Sequence, residues 1–167
     1  LDSDPREPDG DGSASVQAGW LQAALAASTS AWKLVFLHHC PYSSGIHGSL
    51  PIQQWPYKAW GATAVIAGHD HHYERLEVGG LPYFVNGLGG APFRTINAPV
   101  AGSKVRFTGN YGAMRVEADT QKLSFEFITR NDSLVDRYTL FSANVTRDSF
   151  NVSAGWNLVS VPLRPLD

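Results

Sequence analysis

The sequence predicts an α/β fold in which a parallel strand–crossover–strand unit precedes a hairpin-rich antiparallel region. Two short apolar runs, KLVFL (33–37) and TAVIAG (63–68), are typical of strands buried on both faces, as in a parallel sheet. The segment between them is long enough for the crossover that parallel neighbours require. After Tyr73 the strand-like runs are short and divided by turn residues, which is typical of hairpins. These runs are YERLEV, LPYFVNG, KVRFTGN, YGAMRVEAD, KLSFEFIT and LVDRYTLF.

A helix is predicted ahead of the first strand. Residues 16–29 (VQAGWLQAALAAST) are rich in alanine, and they place Trp20, Leu21 and Leu25 at helical spacing. A serine of the preceding GSAS is the expected N-cap, and the polar stretch before it is interpreted as a loop. In the crossover, residues 51–60 are interpreted as a helix that Pro56 kinks or breaks.

Composition narrows the class of protein. The 167 residues fit one domain, and a net charge of −2 gives no electrostatic reason to expect nucleic acid or an anionic membrane as a partner. Cys40 is the single cysteine, which excludes an internal disulfide and a cysteine-based zinc cluster. No apolar run is long enough to span a bilayer. We divide the chain into a principal unit, 1–141, and a linker running into a further β element, 142–167.

The histidines are the most informative feature, because all six fall between residues 38 and 72. His38 follows the first predicted strand, and His69 and His71 follow the second. Ligands of open α/β sheets bind at the carboxyl ends of parallel strands, so neighbouring strands would bring these three imidazoles together. In an extended segment residues i and i+2 share a face, which would aim His69 and His71 at one point. Such a set suits zinc, iron or manganese; the alternative is that each histidine is an ordinary polar loop residue.

The other histidines are weighed separately. His47 lies in the Gly- and Ser-rich loop SSGIHGS, where it is either a phosphate contact and proton donor or an exposed loop residue. His39 should point away from His38 if the strand continues, which gives it a structural or supporting role. His72 is interpreted as structural or exposed. Asp70 is interpreted as a turn or supporting residue, and Cys40 as a small buried apolar side chain.

Three segments in this order resemble a known family. They are WKLVFLHHCPYSSGIHGS, then GHDHHYERL, then YFVNGLGG. Together they resemble the C-terminal half of a calcineurin-like metallophosphoesterase, closest to the purple acid phosphatase-like branch. Residues 68–71 match its GHxH element, His38 its preceding strand-end histidine, and His47 its loop histidine. The resemblance covers roughly residues 1–130.

The resemblance implies the C-terminal part of a four-layer α/β/β/α sandwich with mixed sheets. It also implies two metal ions, of iron, zinc or manganese, with His38 and His69 on one and His71 on the other. We assign catalytic proton transfer to His47, and substrate binding to His47 and His39. The expected activity is hydrolysis of a small-molecule phosphate monoester, and the phosphatase branch implies a secreted or periplasmic protein.

The aspartate, GD-containing and GNH-type motifs that supply the family's carboxylate ligands have no match in this sequence. We therefore expect the remainder of a catalytic domain, N-terminal to this chain, as a partner. Three alternatives stay open. They are a phosphodiesterase or nucleotidase of the same superfamily, a non-catalytic β-rich binding or scaffold fragment, and a mononuclear structural zinc site, which would predict unfolding when the metal is removed.

Overall fold

The computed structural model describes residues 1–142, which form one helix and two β-sheets. The further β element predicted from residue 142 onward lies almost wholly outside the described residues, so that division stays a prediction. The helix is α1 (Val16–Ala27). The strands are β1 (Leu34–Phe36), β2 (Ala64–Ala67), β3 (Tyr73–Val78), β4 (Leu81–Asn86), β5 (Ser103–Phe107), β6 (Gly112–Ala118), β7 (Lys122–Thr129) and β8 (Leu134–Phe141).

The larger sheet is mixed, with the strand order β1-β2-β4-β3-β5. β1 runs parallel to β2, as the two apolar runs predict. The hairpin of β3 and β4 is also as predicted. However, β4 additionally pairs in parallel with β2, so it belongs to the parallel part of the sheet. The first five residues of β4 are buried, as expected for a strand that has a neighbour on each side and both faces covered.

The crossover between β1 and β2 contains no α-helix. The prediction of a helix over residues 51–60 is wrong, because only a single 3-10 turn forms, at Pro51–Gln53. A second turn follows and ends at Gly61, whose φ of +96° suits glycine. Pro56 lacks the N–H that a continuing helix would need. Buried aromatic side chains, Trp55 and Tyr57, hold this segment against the core instead.

The helix α1 begins where the sequence predicts. Ser15 is its N-cap, and the Ser15 hydroxyl accepts a hydrogen bond from the Ala18 N–H at 3.1 Å. Leu21 and Leu25 are buried, but Trp20 is 64% exposed. Adjacent helical residues point about 100° apart, so Trp20 and Leu21 cannot both face the sheet. The buried stripe is therefore Ala18, Leu21 and Leu25.

Strand alternation divides the apolar side chains between two cores. One core lies between α1 and the larger sheet, and it takes residues such as Val35, Val65 and Val85. The other lies between the two sheets, where Ile66 and Phe84 meet the smaller sheet, β6-β7-β8. The described residues thus form three layers, α/β/β, of the four-layer sandwich. Side chains of the smaller sheet in this second core are Leu123, Phe125 and Phe127.

A polar link joins the two sheets. Arg75 on β3 donates to both carboxylate oxygens of Asp136 on β8, at 2.7 and 3.1 Å. The Tyr73 hydroxyl donates to the same carboxylate at 2.8 Å. Burial, and then the nearby negative charge of Asp136, raise the pKa of Tyr73 well above its ordinary value, so this hydroxyl remains a donor. Within residues 1–142 no helix has the length and apolar character needed to cross a membrane.

Candidate functional site

The candidate site is built from the loops that follow β1, β2 and β4 at one edge of the larger sheet. Because these strands are parallel neighbours, their carboxyl ends meet there. His38 comes just after β1, and the Gly68 N–H after β2 donates to the His38 carbonyl at 3.1 Å. The Cys40 thiol is buried and donates to the Gly68 carbonyl at 3.0 Å. The two loops are therefore fixed to each other.

Three imidazoles meet at this edge. His38 Nε2 and His69 Nδ1 are 3.1 Å apart, and the ring of His39 lies 4.5 Å from that of His69. Each of the three offers a nitrogen within 4.8 Å of the others. The meeting of His38 with His69 is what the strand-end positions predict. In the described part of the chain this is the one group of three or more His, Cys, Asp or Glu side chains close enough to share an ion.

His69 reaches this position from a tight turn rather than from an extended strand. The Asp70 N–H donates to the Gly68 carbonyl at 2.7 Å, and the His72 N–H donates to the Asp70 carbonyl at 2.8 Å. His69 has a φ of +58°, a conformation that is costly for a non-glycine residue. The i, i+2 argument for His69 and His71 therefore does not hold here. His71 lines the same pocket but is outside the three-histidine group.

His39 joins the group instead of pointing away from it. The alternation rule fails because β1 already ends at Phe36, and residues 38 and 39 lie in a bend. Ser3, from the opening loop, fixes the His39 ring through a 2.9 Å hydrogen bond between its Oγ and His39 Nδ1. The same oxygen accepts the His39 backbone N–H at 2.9 Å. A partner on one ring nitrogen orients the other one, as is usual for metal-binding histidines.

A guanidinium group connects the two remaining site histidines. Arg94 Nη1 donates to His47 Nε2 at 2.7 Å. Arg94 Nε lies 3.3 Å from His71 Nδ1, but that nitrogen is 2.7 Å from the Pro92 carbonyl and so carries the proton that it donates there. The ring of His47 lies 4.4 Å from that of His69, which places Arg94 beside the three-histidine group.

These side chains line a pocket of about 430 Å³. Burial lowers the pKa of His69 below its ordinary value, and the neighbouring His39, His47 and His38 lower it further. A neutral imidazole is the form that binds a metal ion. The lining residues are His38, His47, Gly68, His69, His71, Asn86, Gly87, Gly89, Gly90, Ala91 and Arg94.

Buried carboxylates support the loops from behind and do not face the histidine group. Asp70 accepts a short hydrogen bond from the Ser43 hydroxyl, and the His47 N–H donates to it at 3.2 Å. Glu74 accepts from both the N–H and the hydroxyl of Ser44, at 2.7 and 2.6 Å. His72 is buried and lies 3.0 Å from Glu74, which confirms its structural interpretation. The loop that carries His47 is thereby anchored to the residues after β2.

The three-histidine group fits one metal ion of the zinc, iron or manganese class. Two nitrogens at about 2.0–2.1 Å from a tetrahedral ion lie about 3.3 Å apart. The 3.1 Å between His38 Nε2 and His69 Nδ1 agrees with that spacing. No carboxylate belongs to the group among residues 1–142, so a second ion bridged by a carboxylate needs ligands from elsewhere.

Sequence reasoning missed two site residues, Arg94 and Ser3. Arg94 follows the GLGGAPF stretch after β4. That segment would have been a candidate only if β4 had been placed next to β2. The role of Ser3 depends on where the opening loop packs, and no local pattern marks it.

Comparison with solved structures gives the fold. The chain superposes on GAP50, the anchor in the inner membrane complex of Plasmodium, with a TM-score of 0.66 and 15% identity, over 77% of this chain and 44% of that one. It superposes on the purple acid phosphatase PPD1 from yellow lupin (Lupinus luteus) seeds with a TM-score of 0.65 and 20% identity, over 81% of this chain and 29% of that one. No protein-family model and no curated protein matches the sequence.

The chain has a metallophosphoesterase-like fold. Its mixed five-stranded sheet, packed on a second antiparallel sheet, agrees with the likeness to the lupin phosphatase, and the fold class is as predicted. The chain spans less than half the length of either solved structure. At these identities the likeness establishes the fold, and activity has to be argued from the site itself.

Proposed function

We propose that this chain supplies the histidine half of a metal centre that hydrolyses phosphate monoesters. The observation that carries the proposal is the convergence of His38, His39 and His69 on one point, beside a pocket that also holds His47 and Arg94. Phosphate-ester hydrolysis by a metal centre uses these components: imidazoles that hold a borderline metal ion, and positively charged and hydrogen-bonding groups beside it.

In this proposal His38 and His69 bind one ion, with His39 close enough to be a further ligand. His71 is available to a second ion through Nε2, because its Nδ1 is engaged by the Pro92 carbonyl. A bound metal supplies an activated water and a Lewis acid for the phosphate oxygen. His47, whose ring lies 4.4 Å from that of His69, would orient the substrate by hydrogen bonding, and in its protonated form, released from Arg94, it would give a proton to the leaving alcohol.

The second ion, its bridging carboxylate and the remainder of the catalytic domain that would supply it are parts of this proposal. So are the secreted or periplasmic location and the identity of the metal as iron, zinc or manganese. The metal centre is supported by the resemblance of the GHxH segment and by the likeness in fold to the lupin phosphatase, and the location rests on the resemblance alone.

The test measures zinc binding and phosphate release separately. The metal-free chain is titrated with zinc by calorimetry, as wild type and as His38→Ala and His69→Ala. We expect either substitution to weaken zinc binding more than about tenfold, because it removes a direct ligand. Arg94→Gln, in the same pocket but outside the histidine group, is the control and should bind zinc as the wild type does. Unchanged affinity in both histidine variants would contradict the metal site.

Hydrolysis is measured with 4-nitrophenyl phosphate and bis(4-nitrophenyl) phosphate while zinc, manganese or iron is titrated. Release from the monoester supports the phosphatase. Faster release from the diester would replace it with the phosphodiesterase alternative.

A second candidate is a non-catalytic interaction module. Two observations favour it: the histidine group has no carboxylate among the described residues, and the fold is as similar to an anchor protein of Plasmodium as to a phosphatase. This candidate predicts zinc binding with no phosphate release under any metal, whereas the phosphatase predicts both.

A further inference from the structure

The guanidinium of Arg94 has donors that no group within residues 1–142 uses. Its Nη1 donates to His47 Nε2 at 2.7 Å. Its Nε faces His71 Nδ1 at 3.3 Å, yet that nitrogen donates to the Pro92 carbonyl and cannot accept. Nη2 has no hydrogen-bond partner within residues 1–142. Arg94 therefore presents free N–H groups at the pocket.

The charge of Arg94 is not neutralised by any carboxylate of the described residues. The other ionisable side chains that line the pocket are all histidines. Asp70, the acidic residue behind the pocket, is buried and is engaged by Ser43 and by the His47 N–H. By contrast, four other arginines pair with acidic side chains: Arg6, Arg75, Arg115 and Arg137. An unpaired cation in a concave site attracts anions.

Two glycines also line the pocket. They are Gly89 and Gly90, and a Cβ built on either would meet no atom within 4 Å. His47 completes the set: because its Nε2 accepts from Arg94, the neutral ring carries its proton on Nδ1 and can donate from there. The pocket thus combines room for a small ligand with several hydrogen-bond donors, and no carboxylate of residues 1–142 lines it.

We propose that Arg94 and His47 form an oxyanion subsite that binds the terminal phosphate of a monoester dianion, independently of any metal ion. Only the assignment of this anion as the substrate's phosphate rests on the proposed function. Arg94 acts as the specificity residue of the pocket. A guanidinium presents paired, coplanar N–H donors that match two oxygens of one phosphate.

The same geometry selects a monoester over a diester. A monoester keeps a second negative charge and an additional free oxygen, and both are available to Arg94. In a diester, an ester group replaces one of those oxygens and one charge is lost. The diester has one negative charge and only two free oxygens, so it pairs with either both Arg94 donors or one of them and His47, and it leaves one donor of the subsite without a partner, which costs affinity.

The experiment measures anion binding to the metal-free chain. Methyl phosphate and dimethyl phosphate are titrated by calorimetry at pH 8 after metals have been removed with a chelating resin. The variants are Arg94→Gln, Arg94→Lys and a control, Arg130→Gln. Arg130 lies in the neighbouring pocket, over the Tyr111 ring at 5.5 Å, so its substitution removes the same charge nearby without touching the subsite.

We expect wild type and Arg130→Gln to bind methyl phosphate alike and to prefer it to dimethyl phosphate. Arg94→Gln should bind methyl phosphate about tenfold or more weakly and lose the preference. Arg94→Lys should keep part of the affinity for methyl phosphate but little of the preference over dimethyl phosphate. The positive charge remains in this variant, but the paired, coplanar N–H donors are lost. Arg94 is exposed, so circular dichroism of these variants should match wild type.

Equal methyl phosphate affinity in wild type and Arg94→Gln overturns the subsite, and so does the absence of binding to the wild type. The metal proposal is judged by a different measurement, the zinc affinity of the histidine variants. Loss of phosphate binding in Arg94→Gln with zinc binding intact supports the subsite. A chain that binds methyl phosphate through Arg94 but binds no zinc keeps the subsite and refutes the metal centre.

Discussion

Gly87 lies where the chain after β4 presses against the turn that carries His69 and His71. A Cβ on Gly87 would overlap the Asp70 carbonyl and would lie 3.3 Å from the His71 Cα, and both are backbone atoms that cannot rotate away. We expect Gly87→Ala to cost about 2 kcal/mol or more in the free energy of unfolding, since overpacking displaces backbone. Urea denaturation measures the cost.

Gly89 is the matched control for that substitution, because it lies in the same loop and a Cβ there meets no atom within 4 Å. Gly89→Ala should change stability by less than about 0.5 kcal/mol. Equal losses in the two variants would show that the loop tolerates neither change and would refute the close approach at Gly87.

For individual residues, the sequence predicts which histidines belong to the site better than it predicts the directions of their side chains. His38 and His69 meet because both follow apolar runs that become neighbouring strands. Such runs can be recognised in the sequence. The predicted direction of the His39 side chain is wrong because it depends on where β1 ends, and strand ends are set by tertiary pairing. Arg94 was missed because its loop reaches the pocket only through the non-local pairing of β2 with β4.

Among the elements, the two sheets are joined by the Arg75–Asp136 pair as well as by apolar packing. Both side chains are largely buried, at 15% and 8% exposure. Removing the carboxylate would leave a desolvated guanidinium and an unpaired Tyr73 hydroxyl. We therefore expect Asp136→Ala to cost about 3 kcal/mol, measured by urea denaturation.

Glu117 is the control for this prediction, since its pair with Arg115 spans 3.6 Å and both side chains are more than half exposed. Glu117→Ala should be nearly neutral, because exposed ion pairs contribute little. A small effect of Asp136→Ala would mean that apolar packing alone holds β3 against β8.

The elements themselves were largely predictable. Every strand-like run predicted within residues 1–142 becomes a strand, because β-branched and aromatic residues between turn residues favour extended backbone. The crossover helix was wrong because Pro51 and Pro56 leave only a single 3-10 turn. The partner of β4 was not predictable, since strand pairing between distant segments leaves no local pattern.

For the whole molecule, a buried acid makes stability depend on pH. Burial raises the pKa of Glu74, but hydrogen bonds from His72, Ser103 and Ser44 outweigh it, so the net pKa lies below its ordinary value of 4.5. A carboxyl with a lowered folded pKa stabilises the protein above its unfolded pKa, and this contribution is lost as pH falls through the folded value. We expect the urea midpoint to fall as the pH drops below the ordinary Glu value of 4.5, in part because of Glu74.

The check is Glu74→Gln followed from pH 7 down to pH 3. This variant should be less stable at pH 7, by about 1–3 kcal/mol, and the difference from wild type should narrow as pH falls. Glu77→Gln, on the exposed side of the same strand, should follow the wild-type curve. A constant gap between Glu74→Gln and wild type at every pH would contradict the role of the ionised carboxylate.

The histidines and Arg94 of the candidate site all lie in loops after β1, β2 and β4, while the strands form the framework that holds those loops. Substitutions in the core and substitutions in the loops of the site can therefore accumulate independently in this fold. Chains that retain only 15–20% of the same residues still superpose on it. Substitutions at a few loop positions can add or remove an activity without changing the fold.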